Sequence, residues 1–286
     1  MFFKILRFFC FLFIGVVESA EKTTAPTILY SRQSPFGLIE VVTTNTRGLL
    51  GVCENEKYYP YQSMFMQGDA TYLGLWYQPL ATTSFCFVEN FEKVLLLGIG
   101  AGDFLSYLLN YFPKTQVDVV EINHVMIDIT KKFRAPKNTV NFINGDAFKH
   151  IARMKKSYDL IYCDIYFMKP FIAKEYKDFF VRVNNHLNQG GVFVWNAHIP
   201  FIPRGVVEDM FRNFENIVAS ITNDGENIVF LCYQGPQKTK QDLEIVAENV
   251  QKQHNFRYAL PDVLQKFEFI PLADYETWIT KFPVLS

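Results

Sequence analysis

Charge is scarce in this chain and nowhere concentrated. Asp, Glu, Lys and Arg make up 20% of its 286 residues, the net charge is -1, and the longest basic clusters are the pairs Lys131-Lys132 and Lys155-Lys156. Nucleic-acid binding draws on many cations set against phosphates, so this composition argues against a nucleic-acid partner. Cysteine is sparse too: the five residues include no CxxC and no His-paired spacing, so no metal site is expected. No apolar run approaches the ~20 residues of a membrane-spanning helix, and there is no internal repeat or low-complexity tract. What the chain has is apolar mass. At 49% hydrophobic it can bury a substantial core, divided most naturally into one large domain and a small appendage.

The informative stretch runs from Val94 to Asp164, where four short apolar segments each end in glycine or an acid: VLLLGIGAGDF, VDVVEIN, NFINGDAF and YDLIYCDIY. Val94 to Leu97 has strand length and stops at Gly98, Gly100 and Gly102, after which Phe104 to Phe112 has helical spacing. Glycines at such a turn let the backbone approach a ligand closely, although a lone GxGxG is as often just a turn. Val117 to Val120 then ends in Glu121, 21 residues beyond Gly100, where a carboxylate can accept from both hydroxyls of a ribose. That acid fits NAD as well as S-adenosylmethionine. A third acidic signal, Gly145-Asp146-Ala147-Phe148 after Val140 to Ile143, is not required by a dinucleotide, and Asp164 closes the fourth strand at the sheet edge where ligands bind.

On these segments the chain resembles the spermidine synthase (polyamine aminopropyltransferase) family. The resemblance spans roughly residues 28 to 234 and rests on VLLLGIGAGDF, VVEINHVMIDITKKF, NGDAF and CDIY, with LNQGGVFVWN further on. It implies an α/β, Rossmann-like class I methyltransferase fold, a mostly parallel sheet with an antiparallel terminal strand, preceded by a small β-rich N-terminal domain. It implies that S-adenosylmethionine or its decarboxylated form is the co-substrate, without a metal, and that Gln62, Gly98, Gly100, Gly102, Glu121, Asp146 and Ala147 contact it, with Phe148 beside the adenine. It assigns the acid-base role to Asp164 and acceptor orientation to Tyr72, which follows Gln62 in YQSMFMQGDATY. Partners are then a small-molecule amine acceptor and a second copy in a homodimer.

Departures from the family pattern bear on the reaction. The family's aspartate within GGGDGG, which binds the amino end of the transferred aminopropyl group, is Ala101 here, with Asp103 two residues on as a substitute. The second acid of the TDSSDP motif falls on Phe167, and the polar residue after the family tyrosine is Leu73. An ammonium that loses its buried carboxylate partner is held several kcal/mol less well, so diamines are expected to bind poorly. Tyr166 could line the acceptor pocket instead. Asp164 could also be no more than a loop or helix-capping carboxylate, Tyr72 is one of 15 Tyr in an aromatic-rich chain, and His198, after the fifth strand, reads as a loop histidine before it reads as a second base. Three functions stay open: aminopropyl transfer, methyl transfer to a small molecule, and a non-catalytic exported binding protein.

Met1 to Ala20 has the form of a secretory signal peptide, with Lys4 and Arg7, then FFCFLFIGVV, then Ser19 and Ala20. Export or secretion is the expectation; an uncleaved N-terminal anchor or a cytoplasmic location are the alternatives. Export sits awkwardly with a co-substrate kept in cytoplasm, and suggests delivery into another cell, loss of catalysis, or a misread N-terminus. In an oxidising compartment Cys53 and Cys86 could pair. The domain plan is therefore 1–20 signal peptide, 26–68 small antiparallel sheet, 69–236 nucleoside-binding domain and 237–286 helical extension. Within it, helices are expected over 69–80, 171–187, 240–252 and 258–267, and a fifth strand from Val192.

Overall fold

The computed structural model describes residues 26–55, 61–88, 91–134, 139–165, 173–270 and 274–280, with 173–177 and Tyr275 described by their backbone alone. The expected signal peptide lies outside the described residues. The described chain opens on a four-stranded antiparallel sheet in sequence order, β1 (Ile28–Ser34), β2 (Gly37–Thr43), β3 (Leu49–Glu54) and β4 (Ser63–Met66). Its inner face, Ile39, Val41, Leu50, Val52 and Phe65, packs on Ala101, Val125, Met126 and Ile129 of the larger domain. The small sheet is thus fastened by apolar burial beside the glycine turn.

The segment after β4 is not the helix expected over 69–80; helix α1 covers only Gln78–Ala81. Three causes are visible. Oδ1 of Asp69 accepts from the N–H and the hydroxyl of Thr71, at 2.9 and 2.7 Å, a turn that competes with helix. Gly74 lies so near β4 that a Cβ there would stand 2.1 Å from the Met64 carbonyl oxygen. From the other side the Tyr258 hydroxyl accepts from the Leu73 N–H at 3.1 Å and donates to the Leu73 carbonyl at 3.2 Å.

The large domain then runs β5 (Lys93–Leu97), α2 (Asp103–Tyr111), β6 (Gln116–Glu121), α3 (His124–Arg134), β7 (Val140–Asn144), α4 (Ala147–Ile151), β8 (Tyr158–Cys163), α5 (Ala173–Asn185), β9 (Leu187–His198), α6 (Arg204–Asn213), β10 (Asn216–Ile221) and β11 (Asn227–Tyr233). Strands β5 to β9 are mutually parallel, β11 runs antiparallel between β9 and β10, and with β12 (Glu268–Ile270) at one edge the sheet order is β12-β10-β11-β9-β8-β5-β6-β7. Its central strands are apolar on both faces because helices cover both; one buried cluster is built around Leu96, Phe104, Tyr107 and Leu160, the other around Leu97, Phe180, Phe193 and Trp195. The fifth strand starts at Leu187, earlier than the expected Val192. Gln189-Gly190-Gly191, expected to end the preceding helix, lies inside this strand, where the register against β8 shifts between Tyr158 and Leu160 and Gly190 takes φ +77°.

The tail contains α7 (Lys240–His254), closed at its start by a capping box between Thr239 and Asp242, and α8 (Leu260–Leu264). Expected to be helical throughout, the tail also contains β12, which pairs antiparallel with β10 and extends the main sheet before α9 (Tyr275–Ile279). All four described cysteines, Cys53, Cys86, Cys163 and Cys232, are free and buried; Cys53 belongs to the small sheet and Cys86 to the core of the large domain, so the Cys53–Cys86 pairing does not form. Removing the hydroxyl that brackets Leu73 leaves two part-buried backbone groups without that partner, so Tyr258→Phe is expected to cost about 2 kcal/mol, read as a lower denaturant midpoint at unchanged slope.

Candidate functional site

Strands β5 and β8 are parallel neighbours whose onward connections leave in opposite directions, so a crevice opens at their carboxyl ends. The glycine turn and Asp164 meet there. Gly98 takes φ +81°, and a Cβ on it would lie 2.4 Å from the Asp164 carbonyl oxygen; the turn approaches β8 this closely because it carries no side chain. Gly100 faces Ser63 of the small sheet, and Gly102, at φ +83°, starts α2 where a Cβ would meet Thr130 at 2.7 Å.

Asp164 sits in a cage of donors. Its Oδ2 accepts from the hydroxyls of Tyr77 at 3.0 Å and Tyr162 at 3.2 Å, and its Oδ1 from Nδ2 of Asn196 at 2.8 Å. Burial pushes the Asp164 carboxyl above the ordinary aspartate range, and these three hydrogen bonds pull back toward the anion. Both phenols are raised well above the usual tyrosine value by burial and by the carboxylate they face, so they stay neutral donors.

Glu121 closes the next strand edge. Oε2 accepts from the Ile99 N–H in the glycine turn at 3.0 Å and Oε1 from the Asn123 N–H at 2.8 Å, while burial raises its pKa against those bonds. Ile122, directly after it, leaves 53% of its surface exposed, an apolar flank beside the carboxylate. Asp146 caps α4, its Oδ1 accepting from the N–H groups of Phe148 and Lys149 at 2.9 and 3.2 Å, with Ala147 buried behind it.

Two expectations about the site change. Tyr72, expected to orient the acceptor, has its ring under the Arg257 guanidinium, 5.2 Å from centroid to charge, and it is Tyr77 whose hydroxyl meets the Asp164 carboxylate. Asp103 is not open to a ligand. It is 1% exposed, accepts from the Ser63 hydroxyl at 3.2 Å and faces Arg134 at 3.8 Å; the same Ser63 oxygen accepts from the Ala101 N–H at 3.1 Å. Ala101 itself points into the apolar interface with the small sheet. Gln62 stands exposed at the head of β4, its N–H on the Val52 carbonyl at 2.8 Å, one residue from the Ser63 contact. Tyr166 and Phe167 lie outside the described residues. His198 stacks on Phe201 at 4.8 Å and faces Glu226 at 3.9 Å. Among the described residues there is no group of three His, Cys, Asp or Glu placed to hold a metal ion.

A family model described as the spermine/spermidine synthase domain matches residues 77–224. The chain belongs to that family. Among curated proteins it is 25% identical over 218 residues to a probable polyamine aminopropyl transferase of Bifidobacterium longum, covering 76% of this chain and 46% of the relative; the chain spans about half the length of the curated relatives it matches. Among solved structures it is similar to a probable spermidine synthase from Corynebacterium glutamicum, with TM-score 0.67, 17% identity, and coverage of 88% of this chain and 93% of that one. A spermidine synthase in complex with the transition-state analogue AdoDATO superposes with TM-score 0.63 at 15% identity, over 88% of this chain and 87% of that one. These likenesses establish the class I methyltransferase-like fold.

The family match begins at Tyr77, the residue that reaches Asp164. Tyr77, Tyr162, Asn196 and Ser63 were missed in the sequence. Asn196 could have been found by extending the strand-end rule from acids to amides, since it follows Trp195 at the carboxyl edge of β9.

Asp103 carries a measurable consequence. Burial pushes its carboxyl up to about 7, whereas in the unfolded chain it ionises near ~4. Between those values the folded chain holds a proton on Asp103 that the unfolded chain has released, so the contribution of this group to stability falls as pH rises through that window and is constant on either side. Thermal melts are expected to drop by roughly 5 °C between pH 4.5 and 7.5, and Asp103→Asn should remove that component; an unchanged slope in the variant would refute the assignment.

Proposed function

We propose that this chain transfers an aminopropyl group from decarboxylated S-adenosylmethionine to an amine acceptor. The observation that carries the reading is the caged carboxylate of Asp164 at the mouth of the glycine turn. A sulfonium nucleoside supplies an activated carbon and a neutral thioether leaving group. The chain's residues have to hold the nucleoside, exclude water and free an amine lone pair. Glu121 would accept from the ribose hydroxyls, Ile122 and Ala147 would flank the base, and Oδ2 of Asp146, the oxygen not engaged in capping α4, would accept from its amino group. Asp164 takes one proton from the acceptor's ammonium: the N–H bond breaks, the pair stays on nitrogen, and that pair attacks the carbon beside sulfur as the C–S bond breaks toward sulfur. Tyr77 and Tyr162 hold the carboxylate in place, and their neutral phenols cannot compete as bases.

Methyl transfer from intact S-adenosylmethionine is the second reading, favoured by Ala101 facing the core and by Asp103 being held by Arg134 and Ser63. Homology weighs toward the aminopropyl donor. The reading of residues 1–20 as an export signal belongs to the same proposal, together with self-association as a homodimer.

Asp164→Asn should lower kcat at least 100-fold while nucleoside affinity changes less than threefold. Calorimetric titration with S-adenosylmethionine, its decarboxylated form and methylthioadenosine, with Glu121→Ala as control, separates the readings: preference for the decarboxylated form supports aminopropyl transfer, preference for the intact form supports methylation, and binding of none removes the enzyme. For export, N-terminal sequencing of the full chain recovered from the culture medium of an expressing host is expected to begin at Ala20 or Glu21; recovery inside the cell with Met1 retained would contradict it.

A further inference from the structure

The cage around Asp164 continues one residue further out. Nδ2 of Asn227 donates to Oδ1 of Asn196 at 3.0 Å, and Nδ2 of Asn196 donates to Oδ1 of Asp164 at 2.8 Å. An asparagine amide has two faces of similar shape and opposite polarity. Turned over, Asn196 would aim its carbonyl oxygen at a carboxylate and its NH2 at the NH2 of Asn227, with both contacts repulsive. A donor on its far side is what makes the observed orientation self-enforcing.

Asn227 is itself built in rigidly. It opens β11 opposite His198 of β9, and its backbone N–H and carbonyl both bond Thr222 across the hairpin turn, at 3.0 Å to Oγ1 and 2.9 Å from the amide. Asp224 closes that turn by accepting from the Glu226 N–H at 3.0 Å. The antiparallel hairpin, which contributes no other described contact to Asp164, thereby brings one amide to the back of Asn196.

Counting lone pairs shows what this arrangement selects. A carboxylate offers about four acceptor positions; among the described residues two phenols occupy Oδ2 and one amide occupies Oδ1. We propose that Asn227 is a positioning residue which, by locking the Asn196 amide, keeps one lone pair of Oδ1 as the point where the acceptor's N–H is received. The inference rests on the reading of Asp164 as proton acceptor, and assigns its reacting oxygen to Oδ1.

The test reads Asp164 directly, through the carboxyl carbon resonance of the full-length protein titrated without substrate, assigned with Asp164→Asn. The titratable groups that feel Asp164 are Tyr77, Tyr162, Cys163, Asp103 and Glu121, and none is altered by the variants. Asn196→Ala removes a donor to the anion, so the midpoint should rise by about 1 pH unit. Asn227→Ala should move it in the same direction by a smaller amount, and the double variant should match Asn196→Ala alone, because Asn227 acts through that amide. Asn227→Leu, of similar volume, gives the same reading should the alanine variant unfold. A wild-type midpoint in Asn227→Ala and Asn227→Leu, or an effect that adds to that of Asn196→Ala, overturns the relay. In turnover, Asn227→Ala should lower kcat about tenfold with nucleoside affinity unchanged; undiminished turnover in Asp164→Asn would instead overturn the functional reading and leave the titration result standing.

Discussion

A carboxylate can lie at the floor of a crevice only if the fold brings donors to replace the water it has lost. Asp164 stands at the end of β8, and its donors come from three separate places: Tyr77 at the start of α1, Tyr162 on its own strand and Asn196 at the end of β9. The parallel register of β8 with β9 sets Cys163 opposite Trp195, so the residues following each are neighbours. Gly98 has to be bare for the turn to fit against the Asp164 backbone. The order of strands, the glycine at that position and the course of the chain from β4 to α1 all answer to one desolvated group.

A second constraint lies at the start of α2, where Asp103, Arg134 and Ser63 tie the small sheet to α2 and α3. Arg134 also donates to the Met66 carbonyl at 3.0 Å and to the Ser106 hydroxyl at 2.9 Å. A buried ion pair of this kind contributes little net stability, but its geometry decides where the small sheet ends and the loop to α1 begins.

The central sheet was legible because each apolar run ends at a glycine or an acid in chain order, a pattern that depends on nearest neighbours along the chain. Asp146 was legible for the same reason, since an acid before a helix start is both a cap and a strand-end group. What could not be read was anything decided across the fold. Tyr72 is singled out by its distance after Gln62 in a chain with 15 Tyr, whereas Tyr77 meets Asp164 through a contact 87 residues apart in sequence. Asp103 looked available beside the glycine turn because its partner Arg134 lies 31 residues away on another helix. The strand β12 was missed because three residues are too few to show a period.

The loop from Asp69 to Leu73 is gripped by residues far apart in sequence, Arg134 on one side and Arg257 with Tyr258 on the other. The family match at 77–224 contains Arg134 and omits both the loop and the clamp. Any graft that exchanges residues 69–73 among relatives therefore has to carry Arg257 and Tyr258 of the carboxyl-terminal tail with it, since the loop and its clamp are fitted to each other across the body that separates them in sequence.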